Sequence, residues 1–332
     1  MNYLSLKLNK FYSYNPRFER EKHLLVPIVL IILLFTVIAF RAPQLFSNNG
    51  IGGAIIIIAP LILAALALTP IALVGRGGVD LSVGPLIGFI NVSLVSWLVG
   101  NGYTSPFLVV SYVLGAGILY QVIVAAIIIY VRVSPIIVTL SGYLVLTGVN
   151  LTIMNRPSGF SPEWMFNWGY GGEILSPIFF ILSFMIIIWF LFSRTVFYQQ
   201  ILLTGADERM AFASGINTVA TRFGAHIMAG IFAGMAAFTY TALISSGDPT
   251  QGNTYTLAAI TAMVLGGTSP AGGIGGGLGS ILGSINMYMI SYVLATFNFG
   301  NVSGFVTQAS TGVILAISLL INSFMNKQVE RL

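Results

Sequence analysis

The sequence predicts an all-α membrane protein that crosses the bilayer several times. Its 332 residues are 56% hydrophobic and only 7% charged, whereas about 25% of the residues in a soluble domain are charged. A second observation is a series of apolar runs that are long enough, or nearly so, to span a bilayer as helices. A third is the uneven distribution of lysine and arginine between the two ends of those runs.

Ten apolar runs make up most of the chain, and several are short or interrupted. No small-residue cleavage pattern follows the first run, which predicts an uncleaved first span. The expected organisation is an N-terminal arm over 1–23, a membrane domain over 24–325 and a tail over 326–332. The ten runs are Leu24–Phe40, Ile51–Val74, Ser82–Val99, Pro106–Val131, Ile136–Met154, Pro177–Phe192, His226–Ile244, Tyr255–Gly267, Ile274–Phe297 and Ser303–Phe324.

The positive charges predict that both termini are cytoplasmic. If the N-terminal arm lies inside, ten crossings return the C-terminus to the same side. Twelve of the 14 lysines and arginines then fall inside, and only Arg41 and Arg156 fall outside. This bias follows the positive-inside rule. It also explains the net charge of +5 without a nucleic-acid partner.

The composition argues against catalysis and metal binding by this chain. There is no cysteine, and the two histidines, His23 and His226, are far apart in sequence. No G-x-x-x-x-G-K-[ST] motif for nucleotide phosphates is present. An intramembrane enzyme would need paired acids or a nucleophile with a base, and the apolar runs supply neither.

A polar break interrupts the apolar zone over residues 74–85 with glycines, Arg76, Asp80 and Ser82. Broken backbone at membrane depth must be buried in protein or line a wet cavity. Two roles are open for Asp80. It is either a direct gating or substrate group, or the N-cap of the following helix with Arg76 as its neutralising partner.

Two further segments stand out on the predicted inner side. The segment 193–223 is polar; Asp207 and Glu208 predict a helix start there, and Gly215 predicts its end. The segment 266–280 is too rich in glycine for a stable straight helix. Gly275, Gly279 and Gly283, at four-residue spacing, predict a face for close helix packing.

The predicted outer loop over residues 155–176 is rich in aromatic residues. Two interpretations stay open, an aromatic belt at the lipid headgroups and a docking surface for an external partner. The aromatic residues are Phe160, Trp164, Phe166, Trp168 and Tyr170.

Three motifs, in this order, resemble those of the membrane subunits of bacterial ABC importers, in the ribose/branched-chain amino acid permease family. Residues 77–84 look like the family's GGIDLSVG signature. Residues 204–217 are similar to its GGNxxAAxxSGI cytoplasmic segment, and residues 259–273 to its AIAAVVLGGTSxxGG signature. The resemblance covers about residues 25–325 and is closest to the sugar-type members.

The resemblance implies a permease in the bacterial inner membrane that moves a sugar or sugar-like small molecule. Its partners would be an ABC ATPase, a periplasmic binding protein and a second permease subunit. ATP and Mg would be bound by the ATPase, with no cofactor on this chain. The ATPase-coupling residues implied are Gly205, Asp207, Glu208, Arg209, Ser214, Gly215 and Ile216.

A second group of residues is implied to form a hinge or the translocation path. Small polar side chains that bind weakly would suit release of a hydroxyl-rich solute. The candidates are Gly78, Asp80, Ser82, Gly84, Asn91, Gly266, Gly267 and Thr268, with Ser93, Ser96 and Asn150 as further path residues.

The chain departs from the family pattern at Thr256 and Ala258, where family members often carry acids, and at Phe212, where arginine is common. This suggests one half of a heterodimer whose partner supplies the acids. The alternative function is an ion-coupled secondary transporter. Such proteins place several ionisable residues at membrane depth, whereas here Asp80 is nearly the only acid near the apolar zone.

Overall fold

The computed structural model describes residues 24–76, 78–297 and 299–329. The predicted N-terminal arm, 1–23, and the last residues of the tail, 330–332, lie outside the described residues. Each of the ten predicted apolar runs contains a helix. The described part of the chain has no β-strand, and a single isolated bridge joins Ser158 to Gly247.

Twelve α-helices occur within the described residues. Helix α3 continues into a π-turn over Leu94–Leu98, and α4 continues into another over Ile127–Val131. The helices are α1 Leu25–Arg41, α2 Asn48–Leu73, α3 Val83–Ser93, α4 Pro106–Ala126, α5 Pro135–Ile153, α6 Pro177–Ser193, α7 Val196–Ala206, α8 Glu208–Ala213, α9 Thr218–Ile244, α10 Thr254–Leu265, α11 Gly277–Ala295 and α12 Ser303–Val329.

Six helices are long and apolar enough to cross a membrane, namely α2, α3 with its extension, α4 with its extension, α5, α9 and α11. Helices α6 and α7 meet at 71° and add a seventh span if they act as one broken helix. Helix α1 and residues 304–318 of α12 are apolar but shorter. The all-helical membrane fold is therefore confirmed with six or seven spans, while ten crossings and cytoplasmic termini stay predictions.

Helices α2 and α9 form the centre of the molecule. Their apolar windows are 67% and 72% buried, against 28% for α4 and 22% for α5. Helix α9 contacts α2, α3 and α4, and α11 contacts α1, α2 and α10. Since α4 and α5 leave most of their apolar surface uncovered, lipid or another subunit is needed to cover it.

Glycine allows α10 and α11 to approach until their backbones touch. A Cβ on Gly283 would overlap the Ala262 carbonyl oxygen, and one on Gly279 would overlap that of Gly266. The predicted packing face is therefore confirmed at Gly279 and Gly283. It is wrong at Gly275, which precedes the first residue of α11, adopts φ +116° and packs against Thr268.

We expect Gly283→Ala to destabilise the chain by about 1–3 kcal/mol, because the added methyl group forces α10 and α11 apart. Thermal unfolding of the detergent-purified protein measures the change. Gly148→Ala on α5 is the matched control, since a Cβ there meets no atom within 4 Å. Equal midpoints for the two variants would contradict close packing of α10 on α11.

Candidate functional site

Three glycine-containing segments, distant in sequence, meet at one place in the structure. They are the connection after α2, the end of α7 and the loop between α10 and α11. The Gly273 amide donates a hydrogen bond to the Leu73 carbonyl oxygen at 3.0 Å. A Cβ on Gly75 would lie 3.0 Å from the Gly205 Cα. We call residues 73–76, 205–208 and 271–273 the junction.

Glycine is required at the junction because its three backbones are in direct contact. A Cβ on Gly205 would overlap the Leu73 carbonyl oxygen, and one on Gly272 would lie 2.6 Å from the Gly75 Cα. Gly75 and Gly272 also adopt φ values of +87° and +109°, which other residues rarely do. Movement of any one segment must therefore displace the other two.

The short helix α8 extends the junction. Asp207 is its N-cap, and its Oδ1 accepts hydrogen bonds from the amides of Arg209 at 2.9 Å and Met210 at 3.0 Å. After α8 ends, Gly215 adopts φ +85° and allows the chain to turn. The predicted helix start and end are both confirmed.

Glu208 ties α8 to the core through two ion pairs. Its Oε2 accepts from Arg76 Nε at 2.6 Å and from the Arg222 guanidinium at 2.8 Å. The Arg222 side chain is only 10% exposed, whereas that of Arg76 is 64% exposed. The prediction that Arg76 neutralises Asp80 is therefore wrong, because the turn between α7 and α8 brings Glu208 to Arg76 instead.

Asp80 is fully buried in the connection between α2 and α3. Its Oδ1 accepts from the Ser82 amide at 2.7 Å and from the Ser82 hydroxyl. Its Oδ2 accepts from Gln121 Nε2, and Gln121 Oε1 pairs with His226 Nδ1 at 2.8 Å. The N-cap position of α3 belongs to Ser82, so Asp80 lies in the turn before the helix.

The bonds of Asp80 tie three elements together. Burial raises the pKa of the Asp80 carboxyl, while hydrogen bonds from Ser82 and Gln121 lower it. Through Gln121 on α4 and His226 on α9, this one carboxyl joins the α2–α3 connection to two spans.

Sequence reasoning missed Gln121, Arg222 and His226. Gln121 carried a signal, since it is a large polar side chain inside the apolar run Pro106–Val131. Its partners lie 41 and 105 residues away. Local pattern could therefore mark Gln121 as unusual without naming its partners.

Most of the predicted hinge and path residues bond to the protein itself. The Gly84 amide donates to Thr256 Oγ1 at 3.1 Å, which ties α3 to α10. Asn91 donates to Thr241 and Ser246 and accepts from the Asp248 amide. Their geometry is that of ties between helices.

The other path candidates are placed in a similar way. Ser93 donates to the Phe89 carbonyl, and Asn150 to that of Pro85. Gly276 donates its amide to Thr268 Oγ1 at 3.2 Å. Ser96 is half-buried in the π-turn after α3, and Gly267 turns the chain after α10 with φ +82°.

A cavity of about 490 Å³ opens beside the junction. Of the predicted hinge and path residues, only Gly78 lies in its wall, together with Glu208, which was predicted as a coupling residue. Its charged or titratable lining residues are Arg76, Arg132, Glu208, Arg222 and His226. The described residues contain no group of histidines and acids that could hold a metal ion.

These features define a membrane transport subunit, and comparison with known proteins gives its family. The chain belongs to the family of the branched-chain amino acid transport system permease component, whose model matches residues 50–323. It is therefore a permease subunit of a transport system and not an enzyme. With its several apolar helices, it is a multi-pass protein of the inner membrane.

Individual relatives match over nearly their whole length. The ribose import permease protein of Bacillus subtilis (strain 168) is 27% identical over 310 residues, 92% of this chain and 94% of the relative. That of Escherichia coli (strain K12) is 26% identical, covering 89% and 92%. The L-arabinose ABC transporter permease protein of Azospirillum brasilense is 25% identical, covering 91% and 88%. No solved structure matches the chain.

We expect Gly205→Ala to open the junction, because the methyl group cannot fit against the Leu73 carbonyl. A strain of about 1–3 kcal/mol would raise the open population, and trypsin cleavage after Arg209 would accelerate roughly tenfold. Gly115→Ala is the control, since its Cβ would face open space. Cleavage at the wild-type rate would show that the junction is not tightly packed.

Proposed function

We propose that this chain is the transmembrane subunit of an ATP-driven ABC importer for a sugar or sugar-like small molecule. The observation that carries the proposal is the meeting of the second and third motifs with the segment just before the first motif, at the junction beside the capped helix α8. The relatives named as ribose and L-arabinose permeases support the solute class. A periplasmic binding protein would deliver the solute.

Helix α8 is proposed as the coupling helix that docks on the ATPase. Its side chains Met210 and Phe212 are 68% and 71% exposed. Uncovered large apolar side chains mark contact sites for a partner. Ala211 is buried and Glu208 forms an ion pair with Arg222. One side of α8 is therefore attached to the core, while Met210 and Phe212 remain exposed.

The junction would carry movement of α8 into the membrane. Glu208 connects α8 to the first turn of α9, and Gly205 presses on the end of α2. Since α2 and α9 are central, mostly buried helices, movement of α8 would be transmitted to the centre of the bundle. We propose Gly78, Gly266 and Gly267 as hinge positions and Gly205, Asp207, Arg209, Ser214, Gly215 and Ile216 as coupling positions.

ATP and Mg are proposed to bind the separate ATPase, because this chain lacks a nucleotide-phosphate motif. We also propose ten crossings with cytoplasmic termini. In support, Arg76, Arg132 and Arg222 surround one cavity at the same end as α8. That end would be the inner face by the positive-inside rule.

A second permease subunit is proposed to complete the transporter, as a heterodimer. Thr256 stands where family members often carry an acid, and it bonds the Gly84 amide and the Leu81 carbonyl. With no acid at that position, a different partner chain would supply it. The uncovered surface of α4 and α5 provides area for lipid and for that subunit.

The outer aromatic loop divides into two parts. The rings of Trp164 and Trp168 each lie within 6.2 Å of Phe238, against the core. The rings of Phe160 and Tyr170 are exposed. We propose that the exposed part contacts the binding protein.

Phe212→Ser should weaken co-purification of the ATPase, because it removes an exposed apolar contact without touching the Asp207 cap or the Glu208 ion pairs. A loss of about 1–2 kcal/mol corresponds to roughly tenfold weaker association. Co-purification from membranes with the tagged ATPase measures it. Phe160→Ser, with a similarly exposed phenylalanine in the outer loop, is the matched control. Equal recovery of ATPase with both variants would contradict the assignment of α8.

Reconstituted transporter tests the function directly. We expect sugar uptake to require ATP and the binding protein, to persist with an uncoupler, and to need a second, different permease subunit. Uptake that needs an ion gradient and no ATP would establish the secondary transporter instead. Full ATP-driven uptake with this chain as the sole permease would contradict the heterodimer alone.

A further inference from the structure

The side chains that line the cavity beside the junction carry more positive charge than the one acidic side chain among them can neutralise. Arg76, Arg132 and Arg222 line it with Glu208 as the only acid, an excess of two positive charges before His226 is considered. Both ion pairs use the same Glu208 oxygen, Oε2. Within the described residues, Arg132 makes no ion pair. The cavity therefore contains guanidinium groups with donors to spare.

Two of these arginines occupy backbone positions that normally favour glycine. Arg76 and Arg132 have φ values of +58° and +61°, and the only other non-glycine residue with positive φ in the described chain is Ser245. Such a conformation is retained where the surroundings require it, often at binding sites. Here both arginines with positive φ line the same cavity.

Apolar side chains line part of the cavity, and apolar residues next to them in the chain are exposed. Tyr130 and Val131 at the end of α4 and Ile136 and Ile137 at the start of α5 are all exposed. Ser134 and Thr218 add hydroxyl groups to the lining. Guanidinium groups and hydroxyls can donate hydrogen bonds to a phosphate group, and the apolar surface beside them can contact an apolar group attached to that phosphate.

We propose that this cavity is a binding site for a phosphate ligand of net negative charge, held by Arg132 together with Arg76 and Arg222. A volume of about 490 Å³ accommodates a lipid headgroup or a small soluble phosphate monoester. The bound phosphate would compete with the Glu208 carboxylate for the two arginines that tie α8 to the core. The site is independent of which solute the chain transports.

Binding to the full-length chain in detergent tests the site. Inorganic phosphate, short-chain phosphatidylglycerol and short-chain phosphatidylcholine are titrated separately and followed by native mass spectrometry. We expect phosphatidylglycerol or inorganic phosphate to bind in preference to phosphatidylcholine. Arg132→Gln should weaken that binding roughly tenfold, the loss of one charge-assisted contact. Glu208→Gln should strengthen it, because the competing carboxylate is gone.

Arg194→Gln is the matched control, an exposed arginine in the same polar segment that does not line the cavity. Loss in Arg132→Gln with wild-type binding in Arg194→Gln supports the site. A preference for phosphatidylglycerol then identifies a lipid, and a preference for inorganic phosphate identifies a soluble ligand. No preference over phosphatidylcholine, or an equal loss in Arg132→Gln and Arg194→Gln, overturns the proposal.

Discussion

The structure depends on pairing the backbone groups that its broken helices leave free, and the hydrogen bond from the Gly273 amide to the Leu73 carbonyl is one such pair. Broken backbone in a membrane protein must find partners within the protein. This chain breaks after α2, after α7 and between α10 and α11, and the three breaks pack against one another. Glycine makes this close packing possible, since a side chain at Gly205 or Gly272 would force the backbone segments apart.

The same constraint explains how a surface helix is connected to the bundle. Helix α8 is too short to stabilise itself, and depends on the Asp207 cap and on Glu208. Because Glu208 reaches both Arg76 and Arg222, the position of α8 is set by the end of α2 and the start of α9 together. A contact made on Met210 or Phe212 therefore acts on two central helices at once.

Sequence pattern predicted the helical elements well, because apolar runs and polar breaks are local properties. It also located α8, whose cap and terminating glycine lie within nine residues. It could not pair Arg76 with Glu208 or Asp80 with Gln121, since those partners are 132 and 41 residues apart. Asp80 was marked correctly as unusual, while the partner assigned to it was the nearest arginine in sequence and was wrong.

The charges of Asp80, which is buried, and of Glu208, which is partly exposed, are stabilised in different ways. Glu208 is matched by two arginines, so its charge is compensated at the edge of the cavity. Asp80 has no arginine and depends on neutral donors from Ser82 and Gln121. Glu208 lines the cavity, whereas Asp80 is connected to it only through Gln121 and His226, which lies in the cavity wall. A phosphate in the cavity would therefore compete with Glu208 for its arginines, and would be connected to Asp80 only through His226 and Gln121.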